Sequence, residues 1–247
     1  MGYRRNFSIL EVKYGNLYGG FPNFFAIAEI SILVFEPDTS RILVETWHNQ
    51  ADVDYVSVIA RTDELGHTID RVKEVVNMRT GRVRPFDEEF ALNEEQINRQ
   101  FFKIRPGQNA IRGFMLKNFR KYGIQELMTF DGRRDIFLCE KAGVNFGRIN
   151  IVDLQRDLNS ETNYLFSLNK LSVVSGFRME GAYLRSNNLE YWLHPIAGKQ
   201  MMRGSAAWDA ARLLMTHQEY TQHHGDFLMK AQLVLNKIQV RKKESEK

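Results

Sequence analysis

Three acidic residues and one lysine stand at positions where their chemistry can combine. Glu11 and Lys13 alternate along an apolar strand pattern, so both side chains lie on one face of that strand. Asp135 and Asp209 each fall near the start of a predicted helix. Carboxylates in such a set can hold two divalent ions roughly 4 Å apart, one generating an attacking hydroxide and one stabilising the leaving oxygen. Lys13 cannot ligate a metal and its charge repels one, so we expect it to pair with Asp135 or Asp209 in place of the ions.

The elements that position these residues are strands followed by alternating helices and short strands. Apolar, β-branched runs bounded by turn residues predict strands at 7–13, 27–35, 41–47, 54–60, 125–130, 149–152, 178–184 and 189–193. Helical spacing predicts helices at about 93–103, 107–122, 133–142, between 153 and 174, 205–219 and 225–240. The pattern from Thr62 to Leu92 is irregular and allows only a short helix near 69–76. This order predicts an α/β fold, a mixed sheet flanked by helices on both faces.

In order and placement, these segments resemble the DEDDh branch of the DnaQ-like, ribonuclease T-like 3′–5′ exonucleases over about residues 5–220. Residues 27–34 look like the second strand of that family. Asp135 with Phe137 and Leu138 looks like its middle motif, and Ala206 with Asp209 looks like its last motif. The resemblance implies a ribonuclease H-like sheet and a two-metal site for cleaving nucleic acid.

The sequence departs from the family at the residues that do the chemistry. Glu11 stands where the family has Asp, Lys13 replaces the second acid, and Gly204 occupies the general-base position five residues before Asp209. We therefore expect an exonuclease-like protein with an impaired metal site, acting by binding nucleic acid or a protein partner. Two alternatives stay open. One is an active 3′–5′ exonuclease using Glu11, Asp135 and Asp209 with Mg or Mn; the other is a purely structural protein-interaction module. No cofactor is expected unless the site is active.

Aromatic and basic residues near the motifs are candidates for contact with nucleic acid. Tyr18 and Phe21 lie in the Gly-rich loop after the first strand, where family members stack the 3′-terminal base. Arg134, Arg203 and Arg212 adjoin the middle and last motifs and, with Lys13, would form a metal-free phosphate pocket. The expected partner is single-stranded nucleic acid, with a protein partner or a homo-oligomer as the alternative.

Each motif also has a simpler explanation. Glu11 and Lys13 can mark a solvent-facing strand edge with alternating charge. They also match the E-x-K half of another nuclease signature, but that signature needs an acid on a preceding strand, and the first ten residues contain none. Asp135 can be an ordinary first-turn acid stabilised by the helix dipole, with Asp131 its rival for the motif position. Asp209 can be a surface helix residue, and His194 is an alternative general base.

The composition limits which classes of protein this chain can belong to. A hydrophobic fraction of 43% and 12% aromatic residues suit a packed core, and the net charge of +4 permits contact with nucleic acid without requiring it. We expect one exonuclease-like domain at 1–240 with insertions near 62–92 and 176–204, and a disordered charged tail at 241–247. No apolar run reaches the ~18 residues of a membrane span, so we expect no membrane partner. The single Cys139 fits the cytoplasm or another reducing compartment.

Overall fold

The computed structural model describes residues 6–17, 24–87 and 94–245. Its strands are β1 (Phe7–Asn16), β2 (Phe25–Glu36), β3 (Arg41–His48), β4 (Asp54–Thr62), β5 (Thr68–Asn77), β6 (Val83–Pro85), β7 (Glu126–Thr129), β8 (Asn150–Asp153), β9 (Arg178–Glu180), β10 (Tyr183–Arg185) and β11 (Glu190–Trp192). Its helices are α1 (Glu94–Tyr122), α2 (Arg133–Lys141), α3 (Leu154–Thr162), α4 (Leu168–Ser175), α5 (Pro195–Gln200), α6 (Ala206–Gln222) and α7 (His224–Ser245).

The main sheet is mixed. Strands β3, β2 and β1 lie side by side and antiparallel, and β7 and then β8 continue the sheet parallel to β1. A curled antiparallel extension of β4, β5 and β6 joins the far end of β1 through the pair Asn16–Val56. Strands β9, β10 and β11 form a separate small antiparallel sheet.

Helices cover both faces of the main sheet, because β1 and β2 are apolar on both sides. Ile9 packs with α3, α4, α6 and α7 on one face, while Leu10 and Val12 pack with α1 and α2 on the other. A strand buried on both faces must be a near-continuous apolar run, and β1 has charged residues only at Glu11 and Lys13. The predicted α/β class, with a mixed sheet between two helical layers, is therefore present.

The stretch from Thr62 to Leu92 was expected to be irregular, and for residues 62–87 that prediction is wrong. β5 and β6 occupy it, and the helix expected near 69–76 is a strand pairing with β4 along its whole length. The sequence Thr-Ile-Asp-Arg-Val-Lys-Glu-Val-Val-Asn alternates too weakly to show a strand by periodicity, because little of it is buried on either face. Residues 88–92 lie outside the described part of the chain.

Other boundaries also differ. The two helices expected at 93–103 and 107–122 are one helix, α1, which runs through Pro106. The helical material expected up to Val174 is two helices, α3 and α4, because Asn163 turns the chain with a φ of 53°. The pair of strands expected between 178 and 193 is three short ones. Instead of a disordered tail from 241, α7 continues to Ser245, and Arg241 contacts Asp63 and Glu64.

Among the described residues, the longest helices carry too many polar side chains to cross a lipid bilayer.

Candidate functional site

Strand β1 directs Glu11 and Lys13 toward α6. Both residues share the face of Ile9, which packs on the α6 side of the sheet. Among the described residues, the ladder between β1 and the parallel strand β7 consists of the pair Ile9–Met128 and stops before Glu11. A register shift between Lys13 and Tyr14 then interrupts the pairing with β2. Both irregularities fall at the place where the polar side chains enter the core.

Helix α6 brings Asp209 to the same point. Ser205 caps the helix by accepting a hydrogen bond from the Trp208 backbone N–H at 3.1 Å. Asp209 lies in the first turn, with an ammonium–carboxylate contact from Lys13 to its Oδ2. Its Oδ1 accepts a hydrogen bond from Arg212 Nη1 at 2.8 Å. Both oxygens of Asp209 are therefore engaged by cations, and the predicted partner of Lys13 is Asp209 rather than Asp135.

Asp135 approaches from the other helical layer. It lies near the start of α2, directly after β7, and only 8% of it is exposed. Its carboxylate accepts a hydrogen bond from the Val12 backbone N–H, past the end of the β1–β7 ladder. Burial raises the pKa of Asp135 to about 7, against the opposing effects of that hydrogen bond and of the Lys13 charge.

Glu11 lies between these groups. It is only 9% exposed, and its Oε1 has no hydrogen-bond partner among the described residues. Burial raises the pKa of Glu11 well above its usual value, and the negative charges of Asp135 and Asp209 raise it further. Folding therefore shifts Glu11 toward its protonated form.

The Lys13–Asp209 pair stays ionised. Burial alone would lower the pKa of Lys13, but the Asp209 carboxylate outweighs burial, so the Lys13 pKa is raised. Burial alone would raise the pKa of Asp209, but the Lys13 and Arg212 charges outweigh it, so the Asp209 pKa is lowered. The site thus holds a charged row of Lys13, Asp209 and Arg212 beside two carboxyls, Glu11 and Asp135, whose pKa values are raised by burial.

This donor set does not fit a two-metal centre. Asp209 has both oxygens committed to cations, and the Lys13 ammonium lies among the acids where a metal would need negative charge. Within 6–17, 24–87 and 94–245, no three His, Cys, Asp or Glu side chains are grouped to hold a metal ion.

Glu29 completes the cluster, although no motif in the sequence marks it as a site residue. It lies on β2 directly opposite Lys13, and its Oε1 accepts a hydrogen bond from the Ala206 backbone N–H at 3.0 Å. Burial raises its pKa, and the His48 charge and the Ala206 hydrogen bond oppose that rise. Glu29 thereby holds the α6 N-terminus against the sheet and fixes where Asp209 lies. The sequence does contain one sign of its role, because Glu29 is a charged residue inside an otherwise almost wholly apolar strand.

The other predicted residues have different surroundings. Gly204 has a φ of 89°, so its backbone conformation favours glycine, and its Cα faces open space. Arg203 is exposed just before α6. Arg212 is engaged inside the protein by Ser172, Asp209 and Asn169 at 2.8, 2.8 and 2.5 Å, so it cannot offer a free guanidinium to a phosphate. Tyr18 and Phe21 lie outside the described residues.

Arg134 keeps the properties expected of a contact residue. Its exposed guanidinium lies over the ring of Phe25 at 4.7 Å and over that of Tyr14 at 5.8 Å. It comes immediately before Asp135, so the stacked cation lies at the edge of the acid cluster. A flat cation on an aromatic support is suited to phosphate or base contact.

The simpler explanations for the motif residues are disfavoured by burial. Glu11 is not on a solvent-facing edge, and the Asp209 side chain is only 15% exposed. Asp131, the rival of Asp135, has a side chain 59% exposed. His194 caps α5 and lines a pocket with Thr39 and Arg41 at the β2–β3 turn, at the other end of β2 from Glu29.

Asp135→Asn is expected to change the pH dependence of stability. The unfolded carboxyl loses its proton near pH 4 and the folded one near 7, so the native state binds more protons in between. Stability contributed by this group therefore falls as pH rises from about 4 to 7. The variant cannot ionise, so we expect it to match the wild type near pH 4 and to exceed it by roughly 1–3 kcal/mol at pH 8.

Urea unfolding at several pH values measures this difference. Asp131→Asn is the matched control, since Asp131 is exposed and asparagine tolerates its φ of 51°. A constant offset between the Asp135→Asn and wild-type curves across this range would contradict the burial argument.

Comparisons with known proteins give a limited result. No protein-family model matches the chain, and the curated proteins contain no match to it. Among solved structures, one described as the crystal structure of full-length 3′-exonuclease is similar, with 12% sequence identity and a TM-score of 0.41. The similarity covers 90% of this chain but only 62% of that one, so the chain spans less than two thirds of its length.

Proposed function

We propose that this chain is a nuclease-like protein that binds single-stranded nucleic acid at a former two-metal site, with Lys13 in place of the ions. The observation that carries the proposal is the Lys13–Asp209 ion pair in a buried cluster with Glu11 and Asp135. An acid-x-lysine strand flanked by two helices that each supply one Asp resembles the layout of the DEDDh centre, and the sheet order β3-β2-β1-β7-β8 supports a ribonuclease H-like sheet.

Ligand contact in this proposal comes from groups at the rim of the cluster. Arg134 offers a guanidinium stacked on Phe25, and Arg203 is exposed beside the α6 N-terminus. Cations of this kind contact phosphates without reading sequence, and stacked planar groups accept any base. The buried cluster itself supports the rim and performs no cleavage, because its donors do not accommodate the two ions that hydrolysis would require.

A labelled single-stranded oligonucleotide tests the proposal. We expect it to bind, with affinity falling steeply as salt rises, and to stay intact during incubation with Mn²⁺. Shortening of the oligonucleotide would support an active exonuclease instead. Absence of binding at low salt would contradict nucleic-acid binding and favour a protein-interaction role.

Arg134→Ala is expected to weaken oligonucleotide binding about tenfold. The substitution removes one phosphate contact and one stacked plane, which together are worth roughly 1–2 kcal/mol. Fluorescence anisotropy at fixed salt measures the change. Arg133→Ala is the control, since the Arg133 side chain is 82% exposed and its nearest acid, Asp131, is 3.8 Å away. Equal losses in the two variants would show that only net charge matters.

A further inference from the structure

The small sheet of β9, β10 and β11 presents an exposed tryptophan. Tyr191 and Leu193 are 8% and 1% exposed, whereas Trp192 between them is 53% exposed. Successive side chains of a strand point to opposite faces, so Trp192 points outward while its neighbours pack in the core. Its indole N–H donates to no acceptor within the part of the chain that the structure describes. Trp192 therefore offers both an aromatic ring and a hydrogen-bond donor to a ligand.

Trp192 lines a pocket at the β2–β3 turn. The pocket has a volume of about 310 Å³, and its wall also includes Thr39, Ser40, Arg41 and His194. β11 and α5 pack against β3, which brings the two sides of the pocket together. Sites for small molecules have volumes of about 300–1,000 Å³, so this pocket has room for one small ligand.

The polar side chains that face the pocket are mainly donors. Arg41 is exposed at the start of β3 and forms no ion pair with the described residues. His194 Nδ1 accepts a hydrogen bond from the Ile196 backbone N–H at 3.3 Å, so the proton of the neutral ring is on Nε2, which can donate. The His194 ring also lies edge-to-face with the Trp192 indole, with 5.9 Å between the ring centroids. A donor-rich wall of this kind selects a ligand that carries acceptors.

The acids near the pocket have partners of their own. Glu190 lines the pocket, but it forms an ion pair with Arg185, whose Nε lies 2.6 Å from its Oε2. Glu36 lies opposite Arg41 on β2, where its Oε2 accepts a hydrogen bond from Thr39 Oγ1 at 3.1 Å. The unpaired charge on the pocket wall is therefore the Arg41 guanidinium, and it favours an anion.

We infer that this pocket binds a nucleoside monophosphate unit, with its base on the Trp192 ring and its phosphate at Arg41. Bases of any sequence stack on exposed aromatic rings, and a guanidinium matches the geometry of phosphate. His194 Nε2 supplies a further donor. The unit is either a free nucleotide or the terminal residue of a strand, since both present the same base and phosphate.

The pocket is separate from the acid cluster. Arg41 pairs with Glu36, which is seven residue steps along β2 from Glu29, or about 23 Å at the rise of an extended strand. Nucleotide binding in the pocket therefore goes beyond the proposed function and does not depend on it.

Calorimetric titration with AMP, adenosine and ribose 5-phosphate tests the inference. We expect AMP to bind at least about tenfold more tightly than either fragment, because it alone uses both the ring and the guanidinium. Stacking should also change the tryptophan fluorescence with AMP and with adenosine. Ribose 5-phosphate that binds as tightly as AMP would overturn the role of the ring. Absence of AMP binding at about 10 mM would overturn the site.

Trp192→Ala and Arg41→Ala separate the two halves of the pocket. Trp192→Ala should weaken binding of AMP and of adenosine about tenfold, whereas Arg41→Ala should weaken AMP about tenfold and leave adenosine unchanged. Tyr183→Ala is the matched control, since Tyr183 lies directly opposite Trp192 and is 38% exposed but does not line the pocket. Equal losses in Tyr183→Ala and Trp192→Ala would contradict the inference.

An oligonucleotide with and without a terminal phosphate distinguishes the two sources of the ligand. If the pocket takes strand ends, the phosphorylated form binds more tightly and Trp192→Ala removes the difference. If it takes free nucleotides, AMP binds and the terminal phosphate has no effect. AMP binding without any oligonucleotide binding would support the pocket and contradict the proposed function alone.

Discussion

Lys13→Glu is expected to make the stability of the protein depend on divalent ions. The substitution replaces the ammonium by another acid beside Glu11, Asp135 and Asp209, so the buried cluster loses its balancing charge. Removing one partner of a buried pair destabilises by about 3–5 kcal/mol, and we expect a loss of this size in EDTA. The same change restores an acid-x-acid pair on one strand face, which is the arrangement that binds two divalent ions.

Added Mn²⁺ should then restore much of the lost stability. If the Kd of the variant for Mn²⁺ is one hundredth of the Mn²⁺ concentration used, its free energy of unfolding rises by about 2.7 kcal/mol. Wild-type protein with affinity weaker than about millimolar gains less than about 0.4 kcal/mol at 1 mM. Urea unfolding of the variant and of the wild type, each with Mn²⁺ and with EDTA, measures these two gains in stability. Lys121→Glu is the control, because Lys121 pairs with Glu45 on the exposed surface. A wild-type protein that gained as much from Mn²⁺ as the variant would disprove that Lys13 replaces metal.

Lys13→Met is expected to destabilise the protein in a pH-dependent way. It removes the ammonium but adds no acid, leaving Asp209 with Arg212 as its remaining cation partner. Breaking a fully buried ion pair costs about 3–5 kcal/mol of unfolding free energy. Because the Lys13 side chain is 33% exposed, we expect the variant to lose somewhat less at pH 8, about 2–4 kcal/mol.

The sign of the pH effect follows from the two pKa shifts of the ion pair. The raised pKa of Lys13 contributes stability that is present below its unfolded pKa and is lost only above its folded pKa. The lowered pKa of Asp209 contributes stability that is present above its unfolded pKa and is lost as pH falls through its folded pKa. The pair therefore stabilises across neutral pH.

Without Lys13, the native carboxyls hold their protons more tightly, so the variant should lose stability more steeply between pH 5 and 8. Denaturant curves at both pH values test this, with Lys121→Met as the control at an exposed ion pair. A loss as large at pH 5 as at pH 8 would point to packing of the lysine stem rather than to charge.

Several features of the site could be predicted from local patterns. Alternation along β1 places Glu11 and Lys13 on one face whatever the rest of the chain does. The helices carrying Asp135 and Asp209 begin within a residue of their predicted starts, at Arg133 and Ala206, because turn or capping residues precede them. Such signals lie within a few residues of the element that they define.

The hairpin of β4 and β5 could not be predicted in the same way. β5 is exposed on both faces through most of its length, so no face of it has an apolar stripe to read. Its strand character comes from pairing with β4, and pairing depends on a partner rather than on the residue pattern alone. Similarly, α1 continues through Pro106 although the sequence predicted a break there.

By itself, the sequence determined an α/β chain with a lysine in the place of an expected acid, since strand and helix periodicity and residue type are local properties. Only the tertiary structure decided that Lys13 pairs with Asp209, that Glu29 holds the start of α6, and that Gly66 in the β4–β5 turn packs on α4. These contacts join residues 103 to 196 positions apart, at distances set by packing of the whole core, which no local pattern encodes.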